Sequence, residues 1–298
     1  MTGLMNPARQ HPSPERPVAP AALMVLGAIV SIQIGAALAT GLFDEIGAGG
    51  VVFLRSSISA VLLGLIWRPS YRMDRESARL AVTFGAVLAG VNLSFYEAID
   101  RIPLGTAVTF EFTGPLTVAL ITSHRRSDVV WAVMAAAGIL LLTGGIRGAG
   151  LDPLGIGFAV AAGAFWGCYI LLGKRVGRQW SGGRGLAVAM VISSLICAPF
   201  GVADGGGELL NPGILAVGAA VAVLSAALPF SLEMEAMRRL PSNVFGVMMS
   251  LEPAVAAAVG FILLAQGMGA IQVLAILLVV SASAGALWST RAPAPVEP

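Results

Sequence analysis

Charged residues are scarce in this chain. They make up 11% of its 298 residues, whereas a soluble globular domain carries roughly 25%. Hydrophobic residues make up 57%, and the mean hydropathy is +0.86. A surface with so few charges is poorly solvated by water, which predicts that lipid surrounds the chain. The net charge of +2 is too small for a nucleic-acid-binding protein, so no nucleic-acid partner is expected.

Cysteine and histidine are equally rare. Cys168 and Cys197 both lie inside apolar stretches, and His11 and His124 lie in polar flanks. Two cysteines placed in this way form neither a disulfide framework nor a zinc site. No nucleophile–histidine–acid set can be assembled either. The sequence therefore predicts no metal, no cofactor and no enzyme activity.

Ten long apolar runs fill most of the chain. About 20 helical residues span the roughly 30 Å hydrocarbon core of a bilayer. The runs are too long for barrel strands and do not alternate, so helices must satisfy their backbone groups in lipid. We predict an all-α membrane protein with ten transmembrane helices, between a disordered tail at 1–20 and a short tail at 289–298. The runs are 21–43, 47–67, 80–99, 104–122, 129–146, 154–172, 185–202, 214–236, 243–264 and 271–288.

Lysine and arginine are distributed unevenly between the two sides of these spans. Fifteen fall in the tails and in four alternate loops, and only Arg101 and Arg147 fall on the other side. Positive residues concentrate on the cytoplasmic side of membrane proteins, so both termini are predicted to be cytoplasmic. The segment from Ala21 to Phe43 is too long for a signal-peptide core and is interpreted as the first span.

The chain also repeats itself. Residues 96–103 align with residues 234–241 at an offset of 138, and the same offset places Pro115 on Pro253. This predicts two repeats, 21–147 and 154–288. Five spans per repeat is an odd number, so the repeats enter the membrane with opposite orientations, a pattern typical of carriers. The alternative is a duplicated scaffold with no transport role.

Four short stretches resemble a known family. They are Ser31–Ala36, Glu111-Phe112-Thr113-Gly114-Pro115, Leu228–Met234 and Ser250-Leu251-Glu252-Pro253. Together they resemble the drug/metabolite transporter superfamily of the EamA type, in its bacterial threonine/homoserine exporter branch. The resemblance implies an inner-membrane exporter of small neutral amino acids that exchanges them for protons. The sequence leaves the oligomeric state open between a monomer and a homodimer. Many relatives carry a glutamate after the ninth span, where this chain has Gln266.

Four ionisable residues lie inside the predicted spans: Arg55, Glu111, Glu233 and Glu252. A charge in the bilayer core costs roughly 3 kcal/mol or more, so such residues usually face a cavity or a partner. Under the repeat, Glu252 falls on Gly114, which shares a helix face with Glu111. We therefore expect both acids to reach one central space. Burial disfavours the charged form, and the hypothesis is that one acid carries the coupling proton and meets the substrate ammonium. The alternative is a neutral acid that bridges helices.

Arg55 could have either of two roles. A guanidinium binds a carboxylate bidentately, so Arg55 could hold the substrate carboxylate. The favoured alternative is a structural ion pair with Glu111 or Glu252.

Three prolines lie within predicted spans, and each removes a backbone donor. Pro115 and Pro253 lie near Glu111 and Glu252, and Pro229 lies four residues before Glu233. Interrupted helices near the midplane often form binding sites in transporters, although kinks without function are as common.

Further polar and aromatic side chains could complete a pocket. A buried amide such as Gln33 needs hydrogen-bond partners. The aromatic side chains are expected at the lipid interface in preference to the pocket wall. The set comprises Gln33, Asn92, Tyr96, Trp166 and Tyr169.

Two charge pairs occupy equivalent places at opposite ends of the repeats. Glu97 with Arg101 and Glu235 with Arg239 are i,i+4 pairs, and their symmetric placement suits two alternating gates. The alternative is interfacial charges that extend to water.

The sequence thus predicts a carrier that exports small amino acids by alternating access. Alternative cargoes are aromatic amino acids, purines or cationic drugs. The alternative classes are a channel, which would not saturate, and an intramembrane enzyme, for which no catalytic set is present.

Overall fold

The computed structural model describes residues 18–70, 72–102, 107, 110–123, 125–142, 152–252, 254–255 and 269–289. Within these ranges the regular structure is helical. The predicted tails lie outside the described residues, except for 18–20 and Ser289.

Helices occupy the described parts of all ten apolar runs. They are α1 Val18–Ala39, α2 Phe43–Trp67, α3 Arg75–Arg101, α4 Thr113–Ile121, α5 Arg126–Leu142, α6 Pro153–Gln179, α7 Arg184–Gly205, α8 Pro212–Ala222, α9 Leu228–Arg239, α10 Ser242–Met249 and α11 Ala270–Ser289. Short 3₁₀ turns at Thr40–Leu42 and Gly206–Leu210 precede α2 and α8, and a π-helical turn, Val223–Ala227, joins α8 to α9.

Five helical segments are long and apolar enough to cross a membrane, judged by length and composition. Two shorter apolar helices, Ala19–Gly35 and Val273–Ser289, flank them in the sequence. The five segments are Phe43–Trp67, Arg75–Ala98, Pro153–Gln179, Arg184–Leu210 and Pro212–Arg239.

Several helices begin at polar residues that cap their free amide groups. The Asp74 carboxylate accepts a hydrogen bond from the Ser77 amide at 3.2 Å, and its bonds to Ser77 hold the Asp74 pKa below its ordinary value. Asp152 accepts from the Leu154 amide at 2.9 Å, and Asn211 accepts from the Gly213 amide at 3.0 Å. A proline follows each of these last two caps, at the position where a missing N–H costs nothing. The local sequence therefore fixes these three helix starts.

Helical structure is interrupted twice near the centre of the molecule. Residues 110–111 are helical, Phe112 is a turn, and α4 continues from Thr113. Likewise α10 ends at Met249, Ser250 is a turn, and Leu251 and Glu252 are helical again. The two turns lie 138 residues apart, which is the offset of the sequence repeat.

Glycines let the interrupted helices approach their neighbours closely. A Cβ atom on Gly114 of α4 would lie 1.8 Å from the Gly163 carbonyl oxygen of α6, and one on Gly246 of α10 would lie 2.5 Å from the Pro115 carbonyl oxygen. Neither position tolerates a side chain without a shift of backbone. The helix α4 is therefore held tightly between α6 and α10.

The largest apolar core surrounds this region. It contains fully buried side chains from α1, α3, α6, α7 and α10, among them Ile29, Phe84, Ile170, Leu186 and Phe245. This core lies beside the interrupted helices and fixes their positions.

Candidate functional site

A cavity of about 340 Å³ lies beside the two helix interruptions, within the roughly 300–1,000 Å³ range of small-molecule sites. Its polar lining comes from six separate segments of the chain: Gln33, Arg55, Asn92, Glu111, Ser225, Glu233 and Glu252. Its apolar and aromatic lining comprises Ile32, Leu88, Val91, Phe95, Tyr96, Phe112, Trp166, Tyr169, Phe230 and Met249.

Glu111 and Glu252 reach the cavity from the two interrupted helices. Glu111 directly precedes the turn at Phe112, and Glu252 follows the turn at Ser250. Glu111 is 8% exposed. Neither carboxyl group forms a hydrogen bond or an ion pair with the described part of the chain. Both are therefore available to a ligand or a proton, and the predicted juxtaposition of the two acids is what the structure shows.

Glu233 is the one cavity acid with a side-chain partner among the described residues. The Tyr169 hydroxyl donates to Glu233 Oε2 at 2.7 Å, and Glu233 is 2% exposed. The Tyr169 ring stacks on Phe84 with centroids 5.4 Å apart and contacts the Phe230 ring at 5.8 Å. These contacts fix the tyrosine, so Glu233 is held in place while Glu111 and Glu252 are not.

Arg55 does not form the ion pair that the sequence led us to favour. Its Nη2 donates to Asn92 Oδ1, and Asn92 Nδ2 in turn donates to the Leu88 carbonyl at 2.7 Å. The Nε atom of Arg55 is buried without a hydrogen-bond partner in the described structure. The ion-pair interpretation is wrong because α2 and α3 place an amide, and not a carboxylate, beside the guanidinium. The guanidinium therefore lies in the cavity wall without a direct contact to a carboxylate of the described residues.

Gln33 finds a partner at the second helix interruption. Its Nε2 donates to the backbone carbonyl of Glu252 at 3.3 Å, which links α1 to the segment after Ser250. The predicted need of this amide for a hydrogen-bond partner is thus met by a backbone carbonyl.

The expectation that the aromatic side chains face lipid is wrong. Tyr96, Trp166 and Tyr169 all line the cavity, and the latter two are buried. Trp166 contacts the Phe112 ring edge-to-face with centroids 4.8 Å apart. The rotation of a helix about its own axis decides whether such a ring faces lipid or the cavity. That rotation cannot be read from the hydropathy of these runs.

The prolines have different local effects. Pro115 is the third residue of α4, directly after the interruption, so it does not itself form the turn. Pro229 follows the π-helical turn in a continuous helix from Pro212 to Arg239. The regular α-helical hydrogen bonding is thus interrupted just before Pro229 by a π-helical turn, and the chain stays helical through it. Pro253 lies outside the described residues.

Both predicted gate pairs are formed. Arg101 Nη1 contacts Glu97 Oε2 at 2.6 Å, and Arg239 Nη2 contacts Glu235 Oε1 at 2.6 Å. The structure adds Arg238, whose Nη1 contacts Glu235 Oε2 at 2.8 Å. The sequence does not distinguish Arg238 from Arg239, because both arginines lie side by side at the polar end of α9.

Sequence reasoning also missed Phe112, Ser225 and Phe230 as cavity residues. Phe112 adjoins Glu111, and Ser225 lies four residues before Pro229, where a proline frees a carbonyl. The sequence positions of Phe112 and Ser225 could therefore have indicated that they line the cavity, whereas nothing in the sequence indicated this for Phe230. Within the described ranges, no group of three or more histidine, cysteine or acidic residues could hold a metal ion.

The cavity therefore combines three carboxyl groups and one guanidinium with a wall of apolar and aromatic side chains. Charged groups in such surroundings need counter-charges or protons. The arrangement suits a small ligand that carries both a positive and a negative group.

Comparison with known proteins agrees with this geometry. A model of the EamA-like transporter family matches residues 153–288. The threonine/homoserine exporter RhtA of Salmonella typhimurium LT2 is 42% identical over 271 residues, which cover 90% of this chain and 92% of that protein. RhtA of Escherichia coli K12 is 41% identical over the same shares. A solved crystal structure has the same fold, with a TM-score of 0.78 at 19% identity, and the match covers 92% of this chain and 98% of that one.

An identity above 40% over nine tenths of both chains leaves no large part of either unmatched. The relatives are transporters and not enzymes, and the apolar helices make this chain a multi-pass membrane protein. The chain belongs to the EamA-like transporter family, in the branch of the RhtA exporters.

Proposed function

We propose that this protein is a bacterial inner-membrane exporter of small neutral amino acids such as threonine and homoserine, and that it exchanges them for protons. The single observation that carries the mechanism is the cavity in which three carboxyl groups and one guanidinium meet beside two helix interruptions. The cargo class follows from the 42% identity to RhtA.

The proposed architecture is ten membrane spans in two inverted repeats, 21–147 and 154–288, with both termini in the cytoplasm. The interruptions at Phe112 and Ser250 support it, because they are related by the offset that aligns the sequence repeats. Two inverted copies that meet at the midplane have two nearly isoenergetic tilts, each of which opens the cavity to one side.

A zwitterion fits the charges of the cavity. In this proposal Arg55 binds the substrate carboxylate, since its Nε lacks a partner and Asn92 holds only one of its terminal nitrogens. The substrate ammonium binds between Glu111 and Glu252, whose carboxyl groups have no partner among the described residues. Gln33 and Asn92 supply further hydrogen-bonding groups, and the aromatic wall contacts the substrate side chain.

Proton exchange follows from charge balance. Three ionised carboxylates with one guanidinium would leave excess negative charge in a poorly hydrated space, which is strongly unfavourable. Protons therefore occupy part of the acid set when the cavity is empty. An arriving ammonium supplies the positive charge instead and releases a proton from Glu111 or Glu252. Glu233, already bonded to Tyr169, stays as the fixed acid.

The test is efflux from liposomes that contain the purified protein and labelled amino acids under an imposed pH gradient. We expect threonine and homoserine to leave saturably, and efflux to accelerate when the outside is acidic. The double variant Glu111→Gln/Glu252→Gln should lose this acceleration, while Glu76→Gln, an exposed acid at the start of α3, should keep it. Equal efflux with and without the gradient would reject proton exchange, and efflux that does not saturate would indicate a channel.

One observation favours a second cargo class. The acids outnumber the single guanidinium, and that guanidinium already bonds to Asn92, so an organic cation with an aromatic ring also fits. A cationic drug that competes with threonine efflux would support this alternative, and absence of competition would exclude it.

A further inference from the structure

The long helix from Pro212 to Arg239 has a weak point at its centre. In the π-helical turn Val223–Ala227 the backbone departs from regular α-helical hydrogen bonding, and two carbonyls in or beside the turn accept hydrogen bonds from side-chain hydroxyls. Ser59 of α2 donates to the Ala222 carbonyl at 3.0 Å, and Ser31 of α1 donates to the Leu224 carbonyl at 2.6 Å. Pro229 follows and offers no backbone donor. The helix is thus anchored to α1 and α2 at the point where it is easiest to bend.

Beyond this turn, α9 connects the cavity to one end of the molecule. Phe230 and Glu233 line the cavity, and Glu235, Arg238 and Arg239 lie in its last two turns. Twelve residues at 1.5 Å rise make a rigid rod of roughly 18 Å. A shift of Glu233 therefore moves the far end of α9 as well.

That far end is fastened to another part of the chain by Arg238. Its Nε donates to the Gly177 carbonyl at 2.8 Å. Its Nη2 donates to the Trp180 carbonyl at 2.8 Å and to the Gly182 carbonyl. These carbonyls belong to the last turn of α6 and the connection to α7, where helix carbonyls lack partners and the helix dipole favours a cation. One guanidinium thus joins α9 to the end of α6 and to the α6–α7 connection.

The neighbouring Arg239 makes a useful contrast. Its nitrogens donate to Glu235 Oε1, on the same helix, and no bond to α6 or α7 occurs among the described residues. Loss of Arg239 removes only its pair with Glu235 within α9. Loss of Arg238 removes a similar pair with Glu235 and, in addition, the bonds to α6 and to the α6–α7 connection.

We propose that α9 is a gate arm, with the π-helical turn as its hinge and Arg238 as the latch that holds its end against the α6–α7 connection. Release of the latch opens this end of the cavity, which is the cytoplasmic end in the proposed orientation. The inference rests on the proposed carrier function, but it concerns Arg238, which was not one of the predicted gate residues and does not line the cavity. Arg238 is a positioning residue, because it acts through α9 and does not contact the cavity.

The experiment measures access to a side chain behind the latch. Met237 is 2% exposed, and its side chain packs against Gly173 of α6. In the full-length protein with Cys168→Ser and Cys197→Ala, Met237→Cys serves as a reporter for a charged maleimide. We expect Arg238→Gln to raise the labelling rate at least about tenfold, roughly what loss of one charge-assisted hydrogen bond represents. Arg239→Gln, the matched control, should change it by less than about twofold.

Two further measurements keep the test decisive. Arg238→Lys keeps the charge, but its single nitrogen cannot occupy the positions of both Nε and Nη2, which bond the three carbonyls. An intermediate rate therefore supports the latch even when Arg238→Gln does not fold. A second reporter, Ala282→Cys, replaces a buried residue of α11 that lies far from Arg238 in the sequence. Its slow labelling rate should be the same with and without the Arg238 substitutions.

Unchanged labelling of the Met237→Cys reporter in both Arg238 variants would overturn the proposal. So would equal increases at Ala282→Cys, which indicate general loosening, or equal increases with Arg239→Gln. Labelling does not depend on transport, so failure of the amino-acid efflux assay and failure of the latch are separate results.

Discussion

The cavity is bordered by two interrupted helices, one with its turn at Phe112 and the other at Ser250, and their side chains are arranged differently. In the first, the acid precedes the turn, and Gly114 after it packs against Gly163. In the second, the position that matches Gly114 is Glu252, which faces the cavity. At this matched position, the first segment has a close packing contact and the second has a carboxyl group that lines the cavity.

This difference shows that two similar turns can place their acids differently. The turn itself is common to both halves, so it belongs to the scaffold. The acids occupy different positions relative to the turn, so each half contributes one carboxyl group without the two being equivalent. The variants below test how far that division extends.

The largest effect is expected from removing the acids one at a time. Glu252→Gln and Glu111→Gln should each lower proton-driven efflux on the order of a hundredfold, because truncation of a buried charge partner costs about 2–5 kcal/mol. Initial rates of labelled threonine efflux at matched protein levels measure this. A variant with the wild-type rate would assign coupling to one half alone.

A smaller but clear effect is expected at the glycine of the first interruption. Gly114→Ala places a Cβ 1.8 Å from the Gly163 carbonyl oxygen, so α4 must shift, at a cost of about 1–3 kcal/mol. Thermal unfolding in detergent measures the loss. Gly157→Ala is the control on α6, since nothing lies within 4 Å of its added Cβ. It should be neutral or stabilising by about 0.5–1 kcal/mol. Equal stability of the two variants would contradict the close packing.

The guanidinium tests whether the first half also supplies the carboxylate-binding group. Arg55→Lys should raise the KM for threonine about tenfold, because lysine loses the two-point contact with a carboxylate. The maximal rate should change less. Arg72→Lys, in the exposed segment before α3, should leave both constants unchanged. An unchanged KM in Arg55→Lys would show that Arg55 does not bind the substrate carboxylate and contributes only its hydrogen bond to Asn92.

The smallest effect is expected at the outermost pair of the first half. Arg101 contacts Glu97 and lies over the Phe158 ring at 5.3 Å. Both groups of the pair are partly exposed, so Arg101→Gln should cost only about 0.5–1 kcal/mol in thermal stability. Phe158→Leu in the same background separates the ring contribution. A loss as large as that of Gly114→Ala would show that this end is held more tightly than its contacts suggest.

The acids of the site could be predicted from the sequence because the free-energy cost of an acid in lipid can be judged from its neighbours in the chain. Glu111, Glu233 and Glu252 are conspicuous in apolar runs, and all three line the cavity. The same reasoning failed for Arg55 and for the aromatic rings. Their partners lie on other helices, and a hydropathy pattern carries no record of how those helices are rotated.

The sequence by itself determined the helical class, the apolar runs, the capped helix starts and the acids placed at mid-run, since each depends on residues within a few turns. Only the tertiary structure decided that Arg55 meets Asn92, that Tyr169 meets Glu233, and that Arg238 binds the α6–α7 connection. These contacts join residues 37 to 64 positions apart. They exist because close packing sets the rotation and depth of each helix, and many rotations satisfy lipid equally well.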